Sequence, residues 1–138
     1  AESALTILVI KMSTILLVED DQFLSSLLKN RLTREGFTVF HADSGPAAIE
    51  ILKTTRPDLM LLDLILPEKS GFEILEEIKS DPRLQGTKSI PVIITSNLGQ
   101  ESDLAKGKDL GVVDYFVKAR ISIDEIITKI RKILAAQK

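Results

Sequence analysis

Two hydrophobic patterns alternate along the chain. Short, largely apolar runs occupy residues 15–18, 37–40, 59–62, 91–94 and 112–117. Runs without regular polar alternation suit strands covered on both faces, as in a parallel sheet. Between them, apolar residues recur at helical spacing. Phe23, Leu24, Leu27, Leu28 and Leu32 share one face of a first helix, which Gly36 closes. Ala47, Ala48, Ile51 and Leu52 mark a second, with Ser44 placed to cap it and the step from Arg56 to Pro57 to end it. Phe72, Ile74, Leu75 and Ile78 mark a third, which stops near Asp81 and Pro82. Residues 100–110 predict a weak fourth, with Gly107 inside it and only Leu104 and Leu110 as large apolar residues. The clearest stripe is the last: Ile123, Ile126, Ile127, Ile130, Ile133 and Leu134, with Lys129, Arg131 and Lys132 between them.

Five strands alternating with five helices predict an α/β fold, a doubly wound parallel sheet with helices on both faces. The matching template is the flavodoxin-like strand order 2-1-3-4-5. In such sheets ligands bind beyond the carboxyl ends of the strands, near the point where the order reverses.

The polar residues at those ends are unusual as a set. Glu19, Asp20 and Asp21 follow the first strand, Asp63 the third, Thr95, Ser96 and Asn97 the fourth, and Lys118 the fifth. Crowded carboxylates repel one another, and a divalent cation relieves the repulsion. Oxygen donors without His or Cys favour Mg²⁺ over zinc. A carboxylate can attack phosphorus, and a metal, a lysine and amide donors stabilise the charge of the transferring group. Asp63 follows a largely apolar run, where an acid without a partner is costly. Asp20 or Asp21 could equally cap the first helix, Ser96 could satisfy a loop amide, and Lys118 could be solvated.

Composition removes competitors. The chain has 138 residues, enough for one domain, and a formal net charge of -2, which offers no strong field to nucleic acid or an anionic membrane. It has no cysteine, so disulfides, thiolate metal sites and cysteine nucleophiles are excluded. No G-x-x-x-x-G-K-S/T or G-x-G-x-x-G loop occurs, and no G-x-S-x-G elbow. His41 is the only histidine and reads as a surface residue rather than a base or ligand. Phosphatases with a strand-end Asp nucleophile carry a second Asp two residues later, where this chain has Ile65. Residues 4–10 form an apolar run too short to span a bilayer and without the basic flank of a secretory signal. Residues 1–12 are therefore expected to be a leader or an extra strand against a partner subunit, and residues 13–138 the domain.

Four motifs together resemble the receiver domains of two-component response regulators over residues 13–137. They are Ile-Leu-Leu-Val-Glu-Asp-Asp at 15–21, Pro-Asp-Leu-Met-Leu-Leu-Asp-Leu-Ile-Leu-Pro at 57–67 with Gly71, Pro-Val-Ile-Ile-Thr-Ser at 91–96, and Asp-Tyr-Phe-Val-Lys at 114–118. The resemblance implies that Asp63 accepts a phosphoryl group from a histidine kinase or phosphotransfer protein. Asp20 would bind Mg²⁺ directly, Glu19 through water, and the backbone carbonyl of Ile65 would add a ligand. Asp21 is left to cap the first helix. Ser96 would follow the phosphoryl group, Thr95 would point into the core, Lys118 would pair with the phosphoryl group, and Tyr115 would move inward as the aromatic switch. The fourth strand, fourth helix and fifth strand would form the moving element, and the last helix would join them in a protein-interaction surface. The resemblance further implies a cytoplasmic signalling domain without substrate turnover, acting as a monomer or a phosphorylation-dependent dimer, with no direct contact to nucleic acid or membrane. A phosphorylation-independent pseudo-receiver is the alternative, opposed by the complete acidic and basic set; a small-molecule phosphohydrolase ranks third.

Three positions depart from the family pattern. Ala119 replaces the proline that usually follows the lysine, so a cis peptide there would cost roughly 3 kcal/mol. Val112 replaces a common small residue. Ile65 and Leu98 put apolar side chains where the family flanks the path of hydrolytic water, which predicts slow self-dephosphorylation through poor positioning of that water. An Ile65→Asn, Leu98→Glu double variant is expected to lose the phosphoryl group several-fold faster than wild type, measured as decay of the isolated phosphoprotein with Mg²⁺; equal rates would refute the assignment.

Overall fold

The computed structural model describes residues 3–87, 89–97 and 101–137. The elements run α1 (Ala4–Lys11), β1 (Thr14–Val18), α2 (Gln22–Arg34), β2 (Thr38–Ala42), α3 (Gly45–Thr54), β3 (Leu59–Asp63), α4 (Gly71–Ser80), β4 (Val92–Ser96), α5 (Glu101–Asp109), β5 (Asp114–Val117) and α6 (Ile123–Ala136). Short 3₁₀ turns at Pro82–Thr87 and Lys118–Arg120 complete the order. The sheet is parallel throughout, with strands in the order β2-β1-β3-β4-β5 expected from the sequence.

Alternation along the central strands builds two cores. Ile15, Leu17, Leu59, Leu61 and Ile93 pack with Leu28 and Leu32 of α2 and with Ile126, Ile127, Ile130 and Leu134 of α6. Their neighbours Leu16, Val18, Met60, Leu62 and Ile94 turn the other way, onto Ala48, Ile49 and Leu52 of α3 and Ile74, Leu75 and Ile78 of α4. This two-sided burial explains the unbroken apolar runs. Each such Leu or Ile contributes about 1.5–3 kcal/mol on burial.

Local signals fix the helix starts. The Asp21 carboxylate accepts the Leu24 N–H at 2.9 Å, and the Ser44 hydroxyl accepts that of Ala47 at 3.2 Å. Ser70 with Glu73 and Ser122 with Glu125 form capping boxes. Gly36, at φ 100°, ends α2 as the sequence suggests.

One expectation needs correction: the described residues form six helices where five were expected. Of the two readings of residues 1–12, a leader or an extra strand, the strand does not form, since Ala4–Lys11 is the helix α1, which lies against α6. Ser3 sets its start: its hydroxyl accepts the Thr6 N–H at 3.1 Å, and its carbonyl the Ile7 N–H at 3.0 Å. A short apolar run carries no period that separates helix from strand. The basic residues of α6 engage acids of neighbouring elements. Lys129 pairs with Asp114 at 2.9 Å and Arg131 with Glu35 at 2.9 Å, while Arg31 of α2 reaches Asp124 at 2.6 Å. Ion pairs thus tie α6 to β5 and α2.

Two glycines differ in what surrounds them. A Cβ on Gly71 would lie 2.6 Å from the Asp63 carbonyl oxygen and 3.0 Å from the Leu64 Cα, so only glycine lets α4 begin this close to the end of β3. A Cβ on Gly107 would meet Ile94 at 3.5 Å and Val112 at 3.7 Å, which is ordinary contact. Gly71→Ala is accordingly expected to cost about 1–3 kcal/mol. Gly107→Ala is expected to stabilise the protein by up to about 1 kcal/mol through helix propensity. Urea denaturation checks both signs.

Candidate functional site

The strand order brings the carboxyl ends of β1, β3 and β5 to one rim. Glu19 leaves β1 with its N–H donating to the Ala42 carbonyl at 3.0 Å, and only 2% of the residue is exposed. Asp63 ends β3 and is 4% exposed. Lys118, just after β5, reaches across to both: its Nζ lies 2.6 Å from Glu19 Oε1 and 3.0 Å from Asp63 Oδ2. The second oxygen of each acid is also engaged. Glu19 Oε2 accepts the Asp21 N–H at 3.2 Å, and Asp63 Oδ1 accepts the Ile65 N–H at 3.2 Å. Asp20 is exposed, yet one carboxylate oxygen from each of Glu19, Asp20 and Asp63 falls within 4.8 Å of the others.

One ammonium therefore pairs with two of three converging carboxylates. Burial works against the charge on Lys118, but its hydrogen bonds to Glu19 and Asp63 outweigh that and raise its pKa. Burial above all, with the Asp63 charge beside it, pushes Glu19 up to about 7 against the lowering effect of the Lys118 hydrogen bond. The lysine is secure as a cation, whereas Glu19 is undercompensated. The donor set is all oxygen and close enough for one ion, which fits Mg²⁺ better than a softer metal.

Of the other expected residues, Ser96 and Ile65 stand beside Asp63, one after its register partner on β4 and the other bonded to its carboxylate. Ser96 is fully buried at the end of β4, next to Thr95, which pairs in register with Asp63. Thr95 is buried and lines a cavity of about 70 Å³ with Leu24, Leu28, Lys118 and Ile126, the core-facing placement expected for it. Tyr115 is half-buried against the core that contains Ile94. Ile65 is 59% exposed beside Asp63. Leu98 lies outside the described residues. Asp21 caps α2, as expected from the sequence. No cis peptide bond occurs among the described residues, so Lys118 and Ala119 are joined in trans.

His41 is the residue that sequence reasoning undervalued. It is half-buried, and its Nε2 lies 2.8 Å from the backbone carbonyl oxygen of Glu19. The signal was available in the strand order, because β2 flanks β1 and its last residues must lie beside the β1 exit.

Comparison with known proteins agrees with this geometry. The profile of the response regulator receiver domain family matches residues 15–131. The transcriptional regulatory protein CpxR of Klebsiella pneumoniae is 40% identical over 123 residues, covering 89% of this chain and 50% of its own length. The chain thus spans about half the length of that relative. The phosphorylated cyanobacterial phytochrome response regulator RcpA superposes with a TM-score of 0.72 at 34% identity, over 88% of this chain and 91% of its own. A putative response regulator from Chloroflexus aurantiacus gives 0.79 at 27% identity, over 90% and 98%. On its fold, its rim of acids and lysine and these similarities, the chain belongs to the response regulator receiver domain family of two-component signalling.

Proposed function

We propose that this domain accepts a phosphoryl group on Asp63 from a histidine kinase or phosphotransfer protein, and that the modification switches a protein-interaction surface. The observation that carries the reading is a buried strand-end carboxylate held 3.0 Å from a lysine, with two further acids converging on it. A carboxylate oxygen of Asp63 attacks phosphorus as the phosphorus–nitrogen bond of the donor breaks. The electron pair of that bond returns to the imidazole, and an acyl phosphate remains.

Each neighbour has a part in this. Lys118 neutralises charge on the transferring group. Mg²⁺, when bound, supplies further positive charge at the phosphoryl oxygens. Asp20 and Asp63 would hold it directly, together with the Ile65 carbonyl, and Glu19 through water. The direct role of Asp20 is supported by its exposure. Ser96 would follow the phosphoryl group and Tyr115 would respond on β5.

The moving element is β4, α5 and β5. Gly107 weakens α5 where alanine would fit, which is what a low-stability segment requires. In this reading α6 shares the output face, residues 13–138 form the functional unit, and the domain works in the cytoplasm. No helix among the described residues is long and apolar enough to cross a membrane. Transcriptional output, recorded in the name of CpxR, would be reached through protein contacts of this face and not through direct binding of nucleic acid.

Incubation with acetyl phosphate and Mg²⁺ is expected to add one phosphoryl group by intact mass, and Asp63→Asn to abolish it. A protein that takes up none from acetyl phosphate or from any histidine kinase would be a pseudo-receiver instead. Lys118→Met, measured by urea denaturation without Mg²⁺, is expected to lower stability by about 3 kcal/mol, because it strands two buried carboxylates.

A further inference from the structure

Asp20 is an exposed side chain for which the metal reading demands a fixed direction. The backbone on either side of it shows how that direction is set. Glu19 has four hydrogen-bonding atoms close to this turn, and all four are committed. Its N–H donates to Ala42, Oε1 takes Lys118, and Oε2 takes the Asp21 N–H. Its carbonyl oxygen lies 2.8 Å from His41 Nε2. A carbonyl can only accept, so His41 Nε2 carries the proton and donates.

The last two of these bonds bracket Asp20. The Glu19 carbonyl belongs to the peptide plane that enters Asp20, and His41 holds that plane. The Asp21 N–H belongs to the plane that leaves Asp20, and Glu19 Oε2 holds that one. With both planes tethered, φ and ψ of Asp20 are constrained although its side chain stands in solvent. The tether comes from the edge strand: His41 sits opposite Leu17 in the β1–β2 register, one residue before Ala42, which receives the Glu19 N–H.

We propose that His41 is a positioning residue for the metal site, orienting Asp20 through the Glu19 carbonyl and so setting the affinity for Mg²⁺. The inference rests on the reading of Asp20 as a metal ligand. Partners that orient ligands in this way typically change metal affinity by about 10–100-fold when removed.

The test is Mg²⁺ binding by the full chain, followed by calorimetry without any phosphodonor. His41→Phe keeps a β-forming side chain but loses the donor, and is expected to bind Mg²⁺ about tenfold more weakly. His41→Gln places an amide nitrogen the same number of bonds from the backbone as Nε2, and is expected to restore most of the affinity. Should the Phe variant not fold, His41→Asn, one bond short, takes its place with the same expected loss. Wild-type affinity in the Phe or Asn variant overturns the proposal, as does a Gln variant no better than either. Asp20→Ala separates this from the underlying reading: undiminished Mg²⁺ binding there would refute the metal site itself, whatever His41 does.

Discussion

The carboxyl edge of this domain is organised by one ammonium group. Lys118 bridges Glu19 and Asp63, which come from strands on opposite sides of the switch in strand order. Without that bridge the fold would bury two acids with too little positive charge nearby. With it, three converging carboxylates still face one ammonium, and burial above all pushes Glu19 up to about 7. That residual imbalance is useful: a site fully satisfied by its own residues would have no affinity for a divalent cation. Stability and reactivity thus draw on the same group.

The sheet makes this arrangement possible by being rigid where the chemistry is and loose where the response is proposed. β1, β3 and β4 are covered on both faces, and their ends cannot shift without disturbing two cores. Gly71 brings the start of α4 against the backbone of Asp63, so the acid is braced from below as well. On the far side, α5 keeps a buried glycine with room for a methyl group. The contrast between these glycines separates a packing constraint from a tolerated weakness.

The sequence exposes most of this, for physical reasons. Strands buried on both faces leave continuous apolar runs, and amphipathic helices between them leave spaced ones, so order and class are readable. The strand-end acids and Lys118 are visible because polar residues after an apolar run demand an explanation. Three features were not legible. α1 is a short apolar run whose helical form depends on the Ser3 cap and packing against α6. The ion pairs of Lys129 and Arg131 join residues far apart in sequence, so spacing within α6 cannot reveal them. His41 lies beside the β1 exit by strand order, but its bond to the Glu19 backbone carbonyl depends on the side-chain geometry, which the order alone does not give.

The central claim is that the acid at position 63, among several at the rim, is the one that reacts. Borohydride reduction of the protein after treatment with acetyl phosphate converts an acyl phosphate of aspartate to homoserine, and peptide mapping then locates it. The account predicts homoserine at position 63, formed only when Mg²⁺ is present. Homoserine at Asp20 or Asp21, or none at any position despite a mass adduct, would contradict it.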